Sequence, residues 1–230
     1  MTLFSSSRYQ RKKTLQNPVA FPLELKWIVW DYSDISVFLK GIMKQFRDTL
    51  KVGFQLQKAN ITLDPHTAHP CFTLSEDCKS VQEVVQEQYL FPDPERFENW
   101  QYIFGCQGFS TGRHFWEVTV GDKEEWAVGV AKKSVKRKDY IDPCPEEGIW
   151  EIGKWAWIFR AILSRESPKV PLTKNPKRIR VALNCEGGQV TFFDAQTAAL
   201  LYTFSEADLA GETLLPSFLL NINDWLTLSP

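Results

Sequence analysis

Three histidines are the side chains of this sequence best suited to act as bases or metal ligands near neutral pH. His66 and His69 lie in a turn-rich stretch beside Asp64, and His114 begins a predicted strand. We predict that no Ser or Cys pairs with them as a nucleophile. His66 and His69 could share a metal ion, but the sequence offers no third ligand close to them. We therefore expect no catalytic residues and no bound metal, and we predict that the chain is not an enzyme.

The cysteines indicate neither a disulfide framework nor a zinc site. The chain has five of them, an odd number, and no two are spaced as C-x-x-C. No glycine-rich phosphate loop of a standard pattern is present, so we expect no cofactor. Scattered thiols without partners are typical of a reducing compartment, and the sequence lacks an apolar run that would make a signal peptide or a membrane span. We predict a cytoplasmic protein without a membrane segment.

Two basic clusters could bind anions, at residues 132–138 (KKSVKRK) and 174–180 (KNPKRIR). The 27 Lys and Arg residues are balanced by 28 Asp and Glu residues, so the net charge is −1. No overall positive field draws the chain to nucleic acid or to an anionic membrane. We therefore expect no nucleic-acid partner. A small anionic ligand or an acidic stretch of a protein suits the cluster at 132–138 better.

The aromatic run 148–159 (GIWEIGKWAWIF) is the strongest sign of a recognition surface. In a strand, Trp150 and Ile152 share one face, whereas Glu151 and Gly153 share the other. A turn inside the run would break this alternation. Periodicity alone therefore does not assign the tryptophans that follow, and the question of which rings form the core and which face a partner stays open at this level.

The elements that must position these residues change type along the chain. Residues 1–32 are predicted to be a polar, basic linker. Apolar residues then recur at steps of three and four, which predicts an amphipathic helix over 33–50 that must dock on another surface. From residue 57 to 230, about a dozen short alternating runs end in turn residues. This pattern predicts an all-β fold, a two-sheet antiparallel sandwich.

The order of the motifs resembles that of the PRY–SPRY domain of tripartite-motif (TRIM) and butyrophilin proteins. ITLDPHTAHP is similar to the Leu-Asp-Pro motif of the family, and HFWEVTV with the strand after it is similar to its Trp-Glu-Val motif. RVALNCEGGQVTFFDA stands at the third motif, with Asn184 and Cys185 in place of the usual Asp and Tyr. The resemblance covers 57–230, and the preceding segment is similar to the linker that follows the coiled coil in TRIM proteins. No Cys/His array for a RING or B-box is present.

The resemblance implies that some aromatic residues form the core and that others bind a partner. Trp150 matches a position packed between the sheets, so its replacement by alanine should unfold the domain. Further residues match positions in or near the wall, floor or edge of a ligand pocket, and alanine at Trp155 should abolish binding with little effect on melting. The partner-binding residues implied in this way are Lys133, Arg137, Trp155, Trp157 and Phe218, with the two cations selecting ligands by charge.

The predicted function is recognition of a target protein or peptide, acidic in character, through an aromatic-lined loop pocket. The resemblance implies the substrate-selecting part of a TRIM-type ubiquitin ligase, with innate immunity as its setting. The alternative is a butyrophilin-like intracellular sensor of a small phosphorylated ligand, which would use the basic cluster at 132–138. Helix 33–50 could in addition support self-association.

Overall fold

The computed structural model describes residues 35–45, 55–121, 125–140, 142–155, 158–164, 176–205, 207–209, 211–221 and 224–230. The chain divides into two compact units, residues 1–52 and 53–230. In the first unit, residues 35–45 form helix α1. The predicted helix 33–50 extends beyond these described residues at both ends, and the predicted linker 1–32 lies outside them.

The second unit is a sandwich of two sheets, as the alternating runs predict. Its described residues contain thirteen strands and one short 3-10 helix at Pro145–Glu147. The strands are β1 Gln57–Lys58, β2 Phe72–Leu74, β3 Ser80–Glu83, β4 Tyr102–Phe104, β5 Arg113–Val120, β6 Trp126–Lys132, β7 Ile149–Trp155, β8 Ile158–Ile162, β9 Arg178–Asn184, β10 Gln189–Asp194, β11 Leu200–Phe204, β12 Leu214–Leu220 and β13 Trp225–Leu228.

The larger sheet has the strand order β11-β10-β9-β5-β13-β3-β2, and β1 also pairs with β5. The smaller sheet has the order β4-β12-β6-β7-β8. All pairs are antiparallel except β1 with β5, which is parallel. Two hairpins join neighbouring strands: β2 pairs with β3 across 75–79, and β9 pairs with β10 across the CEGG turn. Asn184 of the altered third motif accepts a hydrogen bond from Gly187 N in that turn, at 3.0 Å.

The main core lies between the two sheets and follows the alternation of the sequence. On β5, Trp116, Val118 and Val120 are buried, whereas the residues between them are half-buried. Strand β6 is buried on both faces: Trp126 and its alternate neighbours enter the main core, and Ala127 and Ala131 enter a second buried cluster. The small side chains of Ala127 and Ala131 let the covering residues approach this strand closely.

The second cluster forms because a layer of loops covers the outer face of the smaller sheet. Phe97, from the segment before β4, packs at 4.9 Å from Phe104 between ring centroids. Val135, from the loop after β6, joins the same cluster. The smaller sheet is therefore buried on both faces over much of its area, and a binding surface on it is restricted to the uncovered end near β7 and β8.

Candidate functional site

Strand β7 divides the tryptophans between two environments. It runs without a break from Ile149 to Trp155, so its side chains alternate over its whole length. Trp150 and Ile152 lie in the core between the sheets, and Trp150 is 2% exposed. Trp155 lies on the opposite face with Glu151 and Gly153 and is half-buried at the border of the second cluster. The predicted core position of Trp150 is confirmed.

Trp155 lines a cleft of about 300 Å³ on the outer face of the smaller sheet, where the covering layer ends. The indole ring of Trp100 forms a second aromatic wall of this cleft, and Pro143 and Leu163 add apolar surface. Concave apolar surfaces with a few polar groups are the usual form of a ligand site. The lining residues are Trp100, Asp142, Pro143, Trp155 and residues 160–164. We call this the Trp155 cleft.

Trp100, the second aromatic wall of the cleft, is held in place by a contact with Tyr140. The ring of Trp100 packs against that of Tyr140, with 5.1 Å between centroids and 30° between planes. Tyr140 is itself mostly exposed. Tyr140 follows the basic cluster 132–138 in sequence, and its ring contacts that of Trp100. The aromatic wall is thus anchored by one further ring before any ligand binds.

Arg160 brings a positive charge to the cleft. It lies on β8 opposite Gly153 of β7, on the same face of the sheet as Trp155. Arg160 as a residue is half-buried, and within the described part of the chain no carboxylate or other acceptor bonds to its guanidinium. An unpaired guanidinium beside aromatic surface favours a carboxylate or phosphate on the ligand, since Arg binds such groups in bidentate fashion.

Arg137 lies elsewhere and has a structural role. Its side chain is 9% exposed, donates to the carbonyl oxygens of Lys133 and Val135 at 3.0 and 2.9 Å, and lies 3.3 Å from Glu95. Its guanidinium carbon sits 5.1 Å from the ring centroid of Phe104. Burial lowers the pKa of Arg137 from its usual value. The expectation that Arg137 selects ligands by charge is therefore corrected: it holds the covering layer on the sheet.

Phe218 requires a second correction. The residue is on β12 and faces the main core, with 0% exposure. A ring with no accessible surface contacts no partner unless the sheets separate, so Phe218 is a core residue. Lys133 is exposed, but it does not line the Trp155 cleft. Trp157 lies outside the described residues. Of the five residues implied by resemblance, the structure places one, Trp155, in the cleft.

The basic cluster at 132–138 is largely neutralised by neighbouring carboxylates. Lys132 pairs with Asp208 at 3.2 Å, Lys136 with Asp139 at 3.5 Å, and Lys138 with Glu98 at 2.6 Å. Arg137 is engaged as described above. Among the described residues, only Lys133 of this cluster has no ion-pair partner, so the cluster offers an incoming anion much less charge than its sequence indicates.

A carboxyl group is buried beneath the loops that cover the smaller sheet. Glu151 is 0% exposed and accepts a hydrogen bond from Tyr102 Oη at 2.8 Å. In the sheet it lies opposite Gly129, where a β-carbon would stand 2.8 Å from Glu151 Cγ, so glycine provides the space for this side chain. Burial raises the pKa of Glu151 to about 7, and the side-chain interactions with Ser217 and Tyr102 offset only part of that effect.

Two stretches resemble catalytic motifs in spacing but not in structure. Residues 108–112 (GFSTG) have the spacing G-x-S-x-G, yet Ser110 lies in an exposed bend leading into β5 rather than between a strand and a helix. The nearby His114 ring packs on Phe109, and its Nε2 lies 2.8 Å from the carbonyl oxygen of Thr111. Residues 148–154 have the glycine and lysine spacing of a phosphate loop without its Ser or Thr, and they form β7 instead of a loop.

The remaining histidines have local roles. Nε2 of His69 lies 3.2 Å from the Glu98 carbonyl oxygen, and Nδ1 accepts from Cys71 N, so the ring is neutral and its pKa is lowered by burial. His66 pairs with Asp93 at 2.7 Å, which raises the pKa of His66. No group of three or more possible metal ligands occurs among the residues that the structure describes.

Two other clefts are less suited to recognition than the Trp155 cleft. One, of about 390 Å³, lies on the larger sheet and has Trp225 as its single aromatic wall. The other, of about 460 Å³, follows β11 and contains the carboxylates of Glu146 and Asp208. Neither is lined by an Arg or Lys side chain. The Trp155 cleft alone among the three combines two tryptophans with a cation.

Sequence reasoning missed Trp100 and Arg160. Trp100 stands in a polar segment (ENWQY) without strand alternation, and a tryptophan in such a segment is a signal of partial exposure. Arg160 follows the run of tryptophans and is the one charged residue in IFRAIL. Because it is adjacent to the core-facing Phe159 in the strand, its side chain lies on the opposite face. Their proximity to Trp155 depends on pairing between β7 and β8 and on the covering layer.

Comparison with known proteins relates the chain to a single family. A SPRY domain model matches residues 113–229, and a SPRY-associated (PRY) domain model matches residues 61–109. The E3 ubiquitin-protein ligase TRIM58 of Mus musculus is 36% identical over 196 residues, which are 84% of this chain and 36% of that protein. Butyrophilin subfamily 1 member A1 of Bos taurus is 39% identical over 156 residues, or 68% of this chain and 30% of that protein. The chain thus spans about a third of the length of these relatives.

Solved structures agree with this relationship. The crystal structure of the TRIM65 PSpry domain is similar with a TM-score of 0.66 and 26% identity, over 80% of this chain and 95% of that one. The two-sheet sandwich and the predicted resemblance are therefore confirmed. Among the described residues, no helix is long and apolar enough to cross a membrane.

Proposed function

Because this chain belongs to the PRY–SPRY family, whose domains are protein-interaction modules, we propose that it binds a target protein through the Trp155 cleft. The observation that carries the proposal is the cleft itself, in which Trp100, Trp155 and the unpaired Arg160 converge. Aromatic burial would provide most of the affinity, as it does at interface hot spots. Arg160, rather than Arg137, would select an acidic target.

Removal of the aromatic wall tests this proposal. Trp155→Ala is expected to weaken target binding at least about 30-fold, the effect of losing a hot-spot residue. Its melting temperature should stay close to that of the wild type, because Trp155 is half-buried and lies at the edge of a cluster. The measurement is an unbiased pull-down with the 230-residue chain, followed by affinity determination for each retained protein.

Trp225→Ala is the matched control. Trp225 is a partly exposed tryptophan on β13 of the larger sheet, away from the Trp155 cleft. Proteins retained by wild type and by Trp225→Ala, but lost with Trp155→Ala, would support the cleft as the binding site. Retention of the same proteins by all three forms would refute it.

As the finer function, we propose selection of substrates for a TRIM-type ubiquitin ligase in innate immunity. The similarity to TRIM58, named an E3 ubiquitin-protein ligase, supports the ligase connection. PRY and SPRY are the domains that match this chain, and both are binding modules. We expect no ubiquitin transfer by these 230 residues alone in a reconstituted reaction. Transfer is expected only when the chain is combined with a RING-containing partner. Transfer by the chain alone would contradict the assignment as a recognition part.

A butyrophilin-like sensor of a small phosphorylated ligand is the second candidate. It is favoured by the 39% sequence identity to bovine butyrophilin subfamily 1 member A1. It is also favoured by Lys133, the cation of cluster 132–138 that has no ion-pair partner among the described residues. Calorimetry with inorganic pyrophosphate and with acidic peptides separates the candidates. Heat with pyrophosphate that disappears in Lys133→Ala but persists in Trp155→Ala would favour the sensor and count against the Trp155 cleft.

Self-association through helix α1 is a further proposal. Six large apolar side chains of this eleven-residue segment are at least 45% exposed: Ile35, Val37, Phe38, Leu39, Ile42 and Met43. A helix of this length spans only about 16 Å and is marginal in water without a packing partner. A second copy offers a matching apolar stripe. No acidic residue occurs in 35–45, so the two helices would meet through apolar contacts.

Sedimentation of the full chain tests this association. We expect a monomer–dimer equilibrium in the wild type and a shift to monomer in the double variant Phe38→Ser and Ile42→Ser. Lys40→Ser is the matched control and should leave the monomer–dimer equilibrium unchanged, since Lys40 is not one of the apolar residues of the helix. A wild type that stays monomeric at high concentration would rule out the role of the helix.

A further inference from the structure

Each of the two sheets has two edge strands, and described residues outside the sheets bond to the backbone of two of these four strands, β4 and β2. At the β4 edge, Phe104 N donates to Thr67 Oγ1 at 2.9 Å and Phe104 O accepts from Asp64 N at 2.8 Å. At the β2 edge, Phe72 O accepts from Gln88 Nε2 at 3.0 Å. For β8 and β11, no strand or backbone hydrogen bond is recorded on the outer side among the described residues. An uncovered edge presents a row of backbone donors and acceptors.

The Trp155 cleft lies along the edge of β8, where no described residue pairs with the outer side of the strand backbone. Five consecutive residues line it: residues 160–162 belong to β8, and residues 163–164 follow its end. Adjacent strand residues point to opposite faces of a sheet, so a cleft on one face would be lined by every second residue. Ala161 lines the cleft even though it is 4% exposed and its side chain belongs to the main core. The cleft therefore extends from the outer face of the sheet, where Trp155 lines it, to the backbone at the edge of β8.

We propose that the target binds as an extended peptide that adds a strand to the smaller sheet beside β8. This inference rests on the proposed function of the Trp155 cleft and specifies the form of its ligand. In an antiparallel ladder, alternate residues of β8 direct both their N–H and C=O groups away from β7. Those groups pair with the backbone of the incoming segment, and recognition by main-chain pairing needs an extended partner rather than a folded surface.

The side chains of β8 specify the pattern of the added segment. Ile158, Arg160 and Ile162 share the outer face, and Ile158 lies opposite Trp155 of β7. Side chains directly across two paired strands lie about 5 Å apart. An acidic residue of the peptide opposite Arg160, with apolar residues two positions before and after it, matches this face. The expected motif is apolar-x-acidic-x-apolar.

Strand β11 is a weaker choice for the same role. Its cleft holds Glu146 and Asp208, and Asp208 is paired with Lys132. Among the described residues that line this cleft, there is no unpaired cation to select an acidic residue. The β8 edge combines free backbone groups, an unpaired Arg and two tryptophans, so the observations favour β8.

The test uses peptides selected from a display library of random twelve-residue sequences against the full 230-residue chain. For the tightest peptide, each backbone nitrogen is methylated in turn and the dissociation constant is measured. Strand addition predicts losses of about tenfold or more at every second position, because N-methylation removes a hydrogen bond only where the N–H faces β8. A peptide that inserts side chains into a cavity shows no such alternation, and this result would overturn the proposal.

A charge swap tests the register. Arg160→Glu is expected to weaken the peptide at least about tenfold, and replacement of the acidic peptide residue by Lys should restore binding. Restoration requires the two side chains to be neighbours, which loss of folding cannot imitate. A failure of rescue contradicts the assigned register. If Arg160→Glu instead dissociates a dimer of the wild-type chain, the edge pairs with a second copy and the peptide assignment is wrong.

These outcomes separate the inference from the function on which it rests. Binding lost in Trp155→Ala without alternation in the methylation series leaves the cleft as the target site and rejects strand addition. Peptides that bind equally well to wild type and to Trp155→Ala reject the proposed function itself.

Discussion

Trp150→Ala is expected to lower the free energy of unfolding by about 3–5 kcal/mol, the usual cost of removing a large aromatic side chain from a core. Trp150 is 2% exposed and packs between the sheets with Ile152 and residues of the larger sheet. The free energy of unfolding of a domain of this size is roughly 5–15 kcal/mol, so the substitution removes a large part of it. Equilibrium denaturant unfolding of the full chain measures it.

Trp155→Ala is the control for this result because it removes the same side chain from the same strand. Trp155 is half-buried on the opposite face, and its removal leaves a cleft open to solvent rather than an internal cavity. We expect a loss well below that of Trp150→Ala. Equal losses in the two variants would contradict the division of the rings between core and surface.

Glu151 is expected to make stability depend on pH between about 4.5 and 7. Burial raises the pKa of its carboxyl from 4.5 to about 7 in the folded protein. Below pH 4.5 the group is protonated in both states and costs nothing. As the pH rises towards 7, the unfolded chain releases this proton while the folded protein retains it, so the unfolded state gains stability. The folded protein therefore loses about 3 kcal/mol from this group across the interval.

Glu151→Gln removes this dependence. An amide keeps an acceptor for Tyr102 Oη and does not ionise. The variant should match the wild type near pH 4.5 and exceed its stability by up to about 3 kcal/mol at pH 8. Denaturant unfolding at several pH values gives the comparison.

Glu76→Gln is the matched control, since Glu76 is exposed. It should reproduce the wild-type pH profile. A wild-type profile that Glu151→Gln leaves unchanged would show that the buried carboxyl does not titrate in this range.

The alternation of the sequence was sufficient to predict the strands and the sandwich. The runs HFWEVTV and WAVGVA form β5 and β6, and CEGG forms a hairpin turn. Local alternation carries this information because one face of most strands must leave water. The parallel pairing of β1 with β5 was not predictable, since it joins residues more than fifty positions apart.

The candidate site was predictable only in part. Trp155 was identified by resemblance, but Arg137 and Phe218 were placed wrongly. The sequence shows that Arg137 is charged, but not that Glu95 and two backbone carbonyls surround it. Phe218 is one of seven consecutive buried residues on β12, so its alternation with polar neighbours is weak. Without that signal, the choice between the two faces of β12 depends on strand register.

The sequence by itself determined the all-β class, the family and the presence of rings for both core and contact, because composition and motif order are properties of the linear chain. Only the tertiary structure decided which cations are free and where the open edge lies. Charge neutralisation and edge exposure arise from neighbours distant in sequence: Glu98 pairs with Lys138, and β8 ends the smaller sheet beside Trp100. Such neighbours meet only when the loops close over the sheet.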